Sequence, residues 1–138
     1  MISAASVFID TSAIIAILAA ESGHDTLIAR MEAADQLSTS PLVILEATMR
    51  LSSLFRIAPT DAETTVRALL EGAGATIVSI DDIMARHAVA AFETYGKGRG
   101  HPAQLNLADC FSYAAARRQG SAILFVGNDF SQTDLTIA

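Results

Sequence analysis

The chain has no tryptophan, one cysteine, one lysine and three prolines in 138 residues. A single cysteine, Cys110, cannot form an internal disulfide. That excludes a disulfide-stapled secreted scaffold and a cysteine-rich zinc site. The histidines His24, His87 and His101 show no metal-ligand spacing. Positive charge is scarce: 9 Lys and Arg against 15 Asp and Glu give a net charge of −6. An acidic chain argues against a basic architectural protein that coats DNA or RNA. It leaves room for an enzyme that meets nucleic acid through a bound cation, and it suits a basic partner. Long apolar runs are missing too. Thr11 to Ala20 is ten uncharged residues, where a membrane span needs about twenty. No Lys or Arg precedes Arg30, so there is no basic n-region of a targeting signal. A soluble, cytoplasmic protein with no membrane association is expected.

Half of the residues are apolar (51%) and only 17% are charged. Such a chain buries a real core, and its length suits one domain over residues 1–138. There is no repeat and no low-complexity linker. Ser6-Val7-Phe8-Ile9 reads as a buried strand. Thr11 or Ser12 is positioned to cap a helix through Leu18, and Gly23 separates it from a second helix, His24 to Ala34. Ser40-Pro41 opens a helix to about Phe55, because Pro fits the first helical position. Thr60-Asp61-Ala62-Glu63 has the capping-box spacing and opens the next, ended by Gly72 and Gly74. Ala75–Ser79 is a second strand. Asp81 caps a helix to Thr94, residues 96–106 form a Gly-rich loop, and Asn106 caps a helix to Arg118. Ala122–Phe125 is a third strand, and Leu135–Ile137 adds an edge strand.

Strands alternating with helices predict an α/β fold, a small central parallel sheet flanked by helices on both faces. Sites in such sheets lie beyond the carboxyl ends of the strands. Asp10 follows the first strand, and Asn128 and Asp129 follow the third, so both belong to one sheet edge.

Four acids have unusual neighbours. Asp10 ends a hydrophobic strand. Glu46 lies within Leu42-Val43-Ile44-Leu45-Glu46-Ala47. Asp109 sits in the first turn of the helix in Asn106-Leu107-Ala108-Asp109-Cys110-Phe111, and Asp129 lies in Gly127-Asn128-Asp129-Phe130. Each has a plain structural alternative. Asp10 suits a helix cap, Asp109 an acid at a helix N-terminus, Asp129 a turn, and Glu46 an outward helix face. Taken together they point elsewhere. Carboxylates near an apolar interior repel one another and are costly to desolvate. A hard divalent cation, Mg²⁺ or Mn²⁺, resolves that with oxygen-only ligands. Such ions activate water and stabilise a leaving oxygen, which suggests phosphoryl chemistry.

These residues resemble a PIN-domain ribonuclease, specifically a VapC-type toxin of a bacterial toxin–antitoxin pair. The matching pieces are Phe8-Ile9-Asp10-Thr11-Ser12-Ala13, the helix carrying Glu46, Gly100–Cys110, and Gly127-Asn128-Asp129-Phe130-Ser131-Gln132-Thr133-Asp134. The most specific is Leu105-Asn106-Leu107-Ala108-Asp109-Cys110 followed by the Asn-Asp-Phe loop. One departure is Ala108, where many relatives carry Gly.

The resemblance implies a PIN-like fold and Mg²⁺-dependent endonucleolytic cleavage of RNA, by in-line attack of metal-activated water on a backbone phosphate. It implies that Asp10 and Asp109 are the principal metal ligands. Asp129 would be a further acid, acting directly or through water, and Glu46 the helix-borne acid that helps hold the metal. Thr11 takes the hydroxyl position that orients substrate or the Asp10 carboxylate. It also implies a homodimer and a cognate, VapB-like antitoxin that wraps an apolar groove and brings a basic side chain to the carboxylates.

Lys97 and Arg99, with His101, lie in the loop before the Asp109 helix, where cations can grip RNA phosphates. The alternative for that loop is simple solvation. Asp134 fits a turn or cap better than a site acid. Cys110 reads as a small buried residue rather than a nucleophile. Phe8, Phe55, Phe92, Phe111 and Phe125 read as core.

Two other functions compete. A haloacid-dehalogenase-like phosphatase also starts with a strand ending in Asp. It wants a second acid two residues on, where this chain has Ser12, and a late lysine, where Lys97 stands alone. A catalytically silent PIN-like scaffold that binds RNA or antitoxin would have lost one or more of the acids, and all four are present.

Overall fold

The structure is a computed structural model and describes residues 6–138. Among the described residues four parallel strands form the sheet: β1 (Ser6–Ile9), β2 (Gln36–Thr39), β3 (Thr76–Ile77) and β4 (Ala122–Leu124), in the spatial order β3-β2-β1-β4. Six helices connect them: α1 (Thr11–Leu18), α2 (His24–Ala33), α3 (Pro41–Phe55), α4 (Pro59–Gly72), α5 (Asp82–Tyr95) and α6 (Leu107–Gln119). The chain steps from β1 outward to β2 and β3, then crosses back to β4 on the other side of β1. α1 packs on α2 and α3, α3 on α4, and α5 on α6, while α6 lies against β1 and also meets α3. β1 fits that position: Val7, Phe8 and Ile9 are all buried, so both of its faces are covered. The step of direction falls between β1 and β4, and the carboxyl ends of these strands carry the site.

β2 is a strand that sequence patterning does not announce. Gln36-Leu37-Ser38-Thr39 has one large apolar residue, yet Leu37, Ser38 and Thr39 are buried. The backbone ladder to β1 and the bond from Thr39 Oγ1 to the Ile9 carbonyl (2.9 Å) hold it there. β3 is shorter than the expected Ala75–Ser79 strand. The C-terminal segment makes no edge strand. It closes against β4 through one parallel bridge, Ile123 to Ile137, with Ala138 N donating to the Ile123 carbonyl.

Helix starts follow the local chemistry with two corrections. α1 is capped by Asp10, not by Thr11 or Ser12. The Thr60–Glu63 capping box does not form: Pro59 takes the first helical position, so the helix begins before Thr60, and Glu63 pairs instead with Arg67 at 2.7 Å. Ser40, Asp81 and Asn106 cap α3, α5 and α6 as expected.

The core joins β1, the inner face of α1, Leu51 of α3, Val66 of α4, Met84 of α5 and Ala114–Ala116 of α6. Phe8 is core, whereas Phe55 and Phe92 are 49% and 47% exposed, a correction to their expected burial. Phe111 and Phe125 are half-buried, and Phe130 is buried outright. Among the described residues no helix is long and apolar enough to cross a membrane.

Candidate active site

Asp10 leaves β1 on an extended backbone, and its N–H donates to the Leu124 carbonyl at 3.0 Å, locking the strand exit to β4. Its carboxylate is 6% exposed and well held. Oδ2 accepts from the Ser12 N–H (3.1 Å) and the Ser12 hydroxyl (2.7 Å), and Oδ1 accepts from the Ser112 hydroxyl on α6 (3.0 Å). Ser12 in turn accepts the Val126 N–H at 2.9 Å, fastening the end of β4 to the start of α1.

Asp109 comes from the first turn of α6, where it and Asn106 form a reciprocal capping box. Its carboxyl is pushed up to about 7, first by burial, then by the charges of Asp129, Asp10 and Glu46, against the opposing pull of the Asn106 N–H. The fold thus brings all four acids into one electrostatic neighbourhood. Glu46 stands half-buried on α3 between Leu45 and Ala47. Asp129 is solvent-exposed on the loop after β4, and partial loss of hydration and the Asp10 charge raise its carboxyl. The loop is anchored beside it by Phe130, 1% exposed, packed edge-on to Phe125 at 5.3 Å between centroids.

Other residues fall elsewhere. Thr11 is 2% exposed and its Oγ1 has no hydrogen-bond partner among the described residues, so it does not bond the Asp10 carboxylate. The hydroxyls that do are those of Ser12 and Ser112. The i, i+3 spacing of Asp109 and Ser112 was the available sequence signal for the latter. Lys97 and Arg99 are exposed on a loop whose base is pinned by the Gly96–Leu105 bridge, with Lys97 N donating to the Leu105 carbonyl at 2.9 Å. The Arg99 guanidinium lies over the Phe92 ring at 5.8 Å, and a Cβ at Gly96 would clash with that same ring. Asp134 is drawn away from the acids. It accepts from the Tyr113 hydroxyl and pairs with Arg117 at 3.7 Å, and these hold its carboxyl below the usual range. Burial and Asp109 push the Cys110 thiol up, in keeping with a small buried residue.

The acid set has a cation's chemistry. Its donors are all oxygen, and Asp109 carries the cost of the others' charge. None of the ion pairs among the described residues involves the four acids. A hard divalent ion fits those donors. No three His, Cys, Asp or Glu side chains among the described residues are gathered into a finished cage.

Comparison with known proteins shows the family and the fold. The family described as "PIN domain" matches residues 7–135. The chain belongs to the PIN-domain family. A VapC ribonuclease of Rhizobium meliloti (strain 1021) is 42% identical, over 93% of this chain and 98% of that protein. Ribonuclease VapC42 of Mycobacterium tuberculosis is 39% identical, over 92% and 95%. Among solved structures, this PIN domain is similar to M. tuberculosis VapC20, described as a sarcin-ricin loop cleaving toxin (TM-score 0.73, 18% identity, 96% of this chain and 98% of that one). It is also similar to a chain of a Klebsiella pneumoniae toxin–antitoxin complex (TM-score 0.70, 18% identity, 96% of each chain). At that identity the structures speak for the fold, and they match the parallel-sheet PIN architecture.

Proposed function

We propose that this chain is a metal-dependent endoribonuclease that acts as the toxin of a toxin–antitoxin pair. The observation that carries the reading is that Asp109 is raised to about 7 by burial and by the charges of Asp129, Asp10 and Glu46, so that the four acids share one electrostatic neighbourhood. The VapC ribonucleases that share about four residues in ten with it support the substrate class. Asp10 and Asp109 would hold Mg²⁺ or Mn²⁺, with Glu46 and Asp129 completing its surroundings. When bound, the ion supplies an activated water and charge stabilisation at a backbone phosphate. The chain's own part is orientation. Ser12 and Ser112 fix Asp10, Asn106 fixes Asp109, and the Phe130 anchor holds the Asp129 loop. Lys97 and Arg99 would add sequence-independent attraction for phosphate.

The partner reading rests on α3. Leu45, Met49, Leu54 and Phe55 are 56%, 59%, 55% and 49% exposed on the helix that carries Glu46. A VapB-like antitoxin covering Leu45 and Met49, one turn apart on α3, would lie beside Glu46, and its basic residues would be steered by the net charge of −6. A homodimer would use further exposed apolar surface, such as Val89, Phe92 and Leu107, 67%, 47% and 73% exposed.

The test is cleavage of a panel of transfer, ribosomal and messenger RNAs by antitoxin-free protein with Mg²⁺, with EDTA, and by Asp10→Asn protein. Discrete cuts that require both the ion and Asp10 are expected. Cuts that survive EDTA overturn the metal reading. Folded protein that binds the panel and cuts none of it turns the reading to a silent RNA- or antitoxin-binding scaffold.

A further inference from the structure

We propose that Ser112 is a positioning residue: its hydroxyl sets which oxygen of Asp10 faces a bound cation, and so sets the affinity of the site. The inference rests on the cation reading above and deepens it.

An ionised carboxylate has about four acceptor sites, two on each oxygen. In this structure Oδ2 of Asp10 accepts twice, from Ser12 N and Ser12 Oγ, and is filled. Oδ1 accepts once, from Ser112 Oγ at 3.0 Å. One acceptor site remains, on Oδ1. The terminal torsion of Asp is broad and nearly two-fold, so a carboxylate held at one oxygen turns easily, while one held at both does not. Ser112 supplies the second hold.

Its origin matters as much as its distance. Ser112 is 102 residues from Asp10 and one helical turn beyond Asp109. Residues three apart share a helix face, so α6 delivers both the Asp109 carboxylate and the hydroxyl that aims Asp10. A mid-helix serine commonly returns its hydroxyl to the carbonyl four residues back. Ser112, 2% exposed, spends it on Asp10 instead. The two principal acids are thereby set against each other by one rigid element.

The experiment is calorimetric titration of Mn²⁺ into four whole-chain proteins: wild type, Ser112→Ala, Asp10→Asn, and the double variant. Each is also melted in EDTA. Alanine is smaller than serine and a better helix former, so Ser112→Ala folds. Removing a hydrogen bond that orients a metal ligand typically weakens metal binding 10–100-fold, and about tenfold is expected here. In the Asp10→Asn background the same substitution should change affinity by less than about twofold, because Ser112 acts through Asp10. Equal Mn²⁺ affinity in wild type and Ser112→Ala overturns the inference and leaves Ser112 a structural staple, whatever the melting temperature does. So does a tenfold loss that persists without the Asp10 carboxylate. Wild type that takes up no Mn²⁺ overturns the cation reading itself, and this inference with it.

Discussion

Asn106 and Asp109 cap one another. Asn106 Oδ1 accepts the Asp109 N–H at 2.9 Å, and Asp109 Oδ2 accepts the Asn106 N–H at 3.1 Å. One side chain therefore closes the start of α6 and belongs to the acidic site. The cap uses Oδ2 of Asp109 and leaves Oδ1 outside that bond. The same holds for Asp10, which caps α1 through Oδ2 and keeps a free acceptor position on Oδ1.

Replacing Asn106 by Ala should cost about 1 kcal/mol of stability, the usual loss for an N-cap. The Asn106 N–H still reaches Asp109, so cleavage should fall several-fold and no further. Denaturant melts and initial rates on one RNA measure the two effects. Wild-type stability would mean that the cap is redundant.

The Asp109 carboxyl gives the cation-free protein a distinctive pH dependence. Its value in the fold, about 7, lies above the ordinary 3.8. The folded state therefore holds this proton more tightly than the unfolded chain does. The resulting stabilisation is complete below about pH 4 and is lost as pH rises through about 7. At about 1.36 kcal/mol per unit it is at most on the order of 4 kcal/mol. In EDTA, melting temperature should fall between pH 4.5 and 8. Asp109→Asn should flatten that slope and melt higher than wild type at pH 8. Saturating Mg²⁺ should reverse the slope, since the ion favours the ionised acid. A wild-type profile unchanged by Asp109→Asn would show that this acid carries no such strain.

Phe130→Ala removes a fully buried ring from the loop that bears Asp129. A cost of about 3–5 kcal/mol is expected from the lost burial and the cavity left behind. Activity should fall at temperatures where the variant is still folded, because Asp129 loses its anchor. Circular-dichroism melts together with cleavage at low temperature separate the two.

Asp134 tests the boundary of the site. Its exposed pairings with Tyr113 and Arg117 predict that Asp134→Ala costs less than about 1 kcal/mol. Mn²⁺ affinity should stay within about twofold of wild type. A tenfold loss of affinity would make Asp134 a member of the acid set.

Much of this molecule is written locally. Asp10 after Val7-Phe8-Ile9, the Asn106 cap and the Gly127-Asn128-Asp129 loop are legible because strand ends, caps and turns are short-range chemistry. β2 was not legible. Gln36–Thr39 has no strand-like run, and β1 beside it made it a strand. The expected contact from the Thr11 hydroxyl to the Asp10 carboxylate does not form, for the complementary reason. The neighbouring Asp10 advertised a site, but the α1 backbone turns Thr11 into the interior and leaves its hydroxyl unpartnered among the described residues. The Thr60 capping box lost to Pro59, which starts a helix without a side-chain cap.

The sequence by itself determined the six helices, the caps of α3, α5 and α6, and which acids stand at strand and helix ends, because each of these depends on residues a few positions apart. Only the tertiary structure decided that Ser112 would aim Asp10, that Asp134 would turn to Tyr113 and Arg117, and that Asp109 would be pushed up to about 7. Hydrogen bonds between elements need two distant backbones in register, and a carboxyl's affinity for its proton depends on the water and charge that the whole fold places around it.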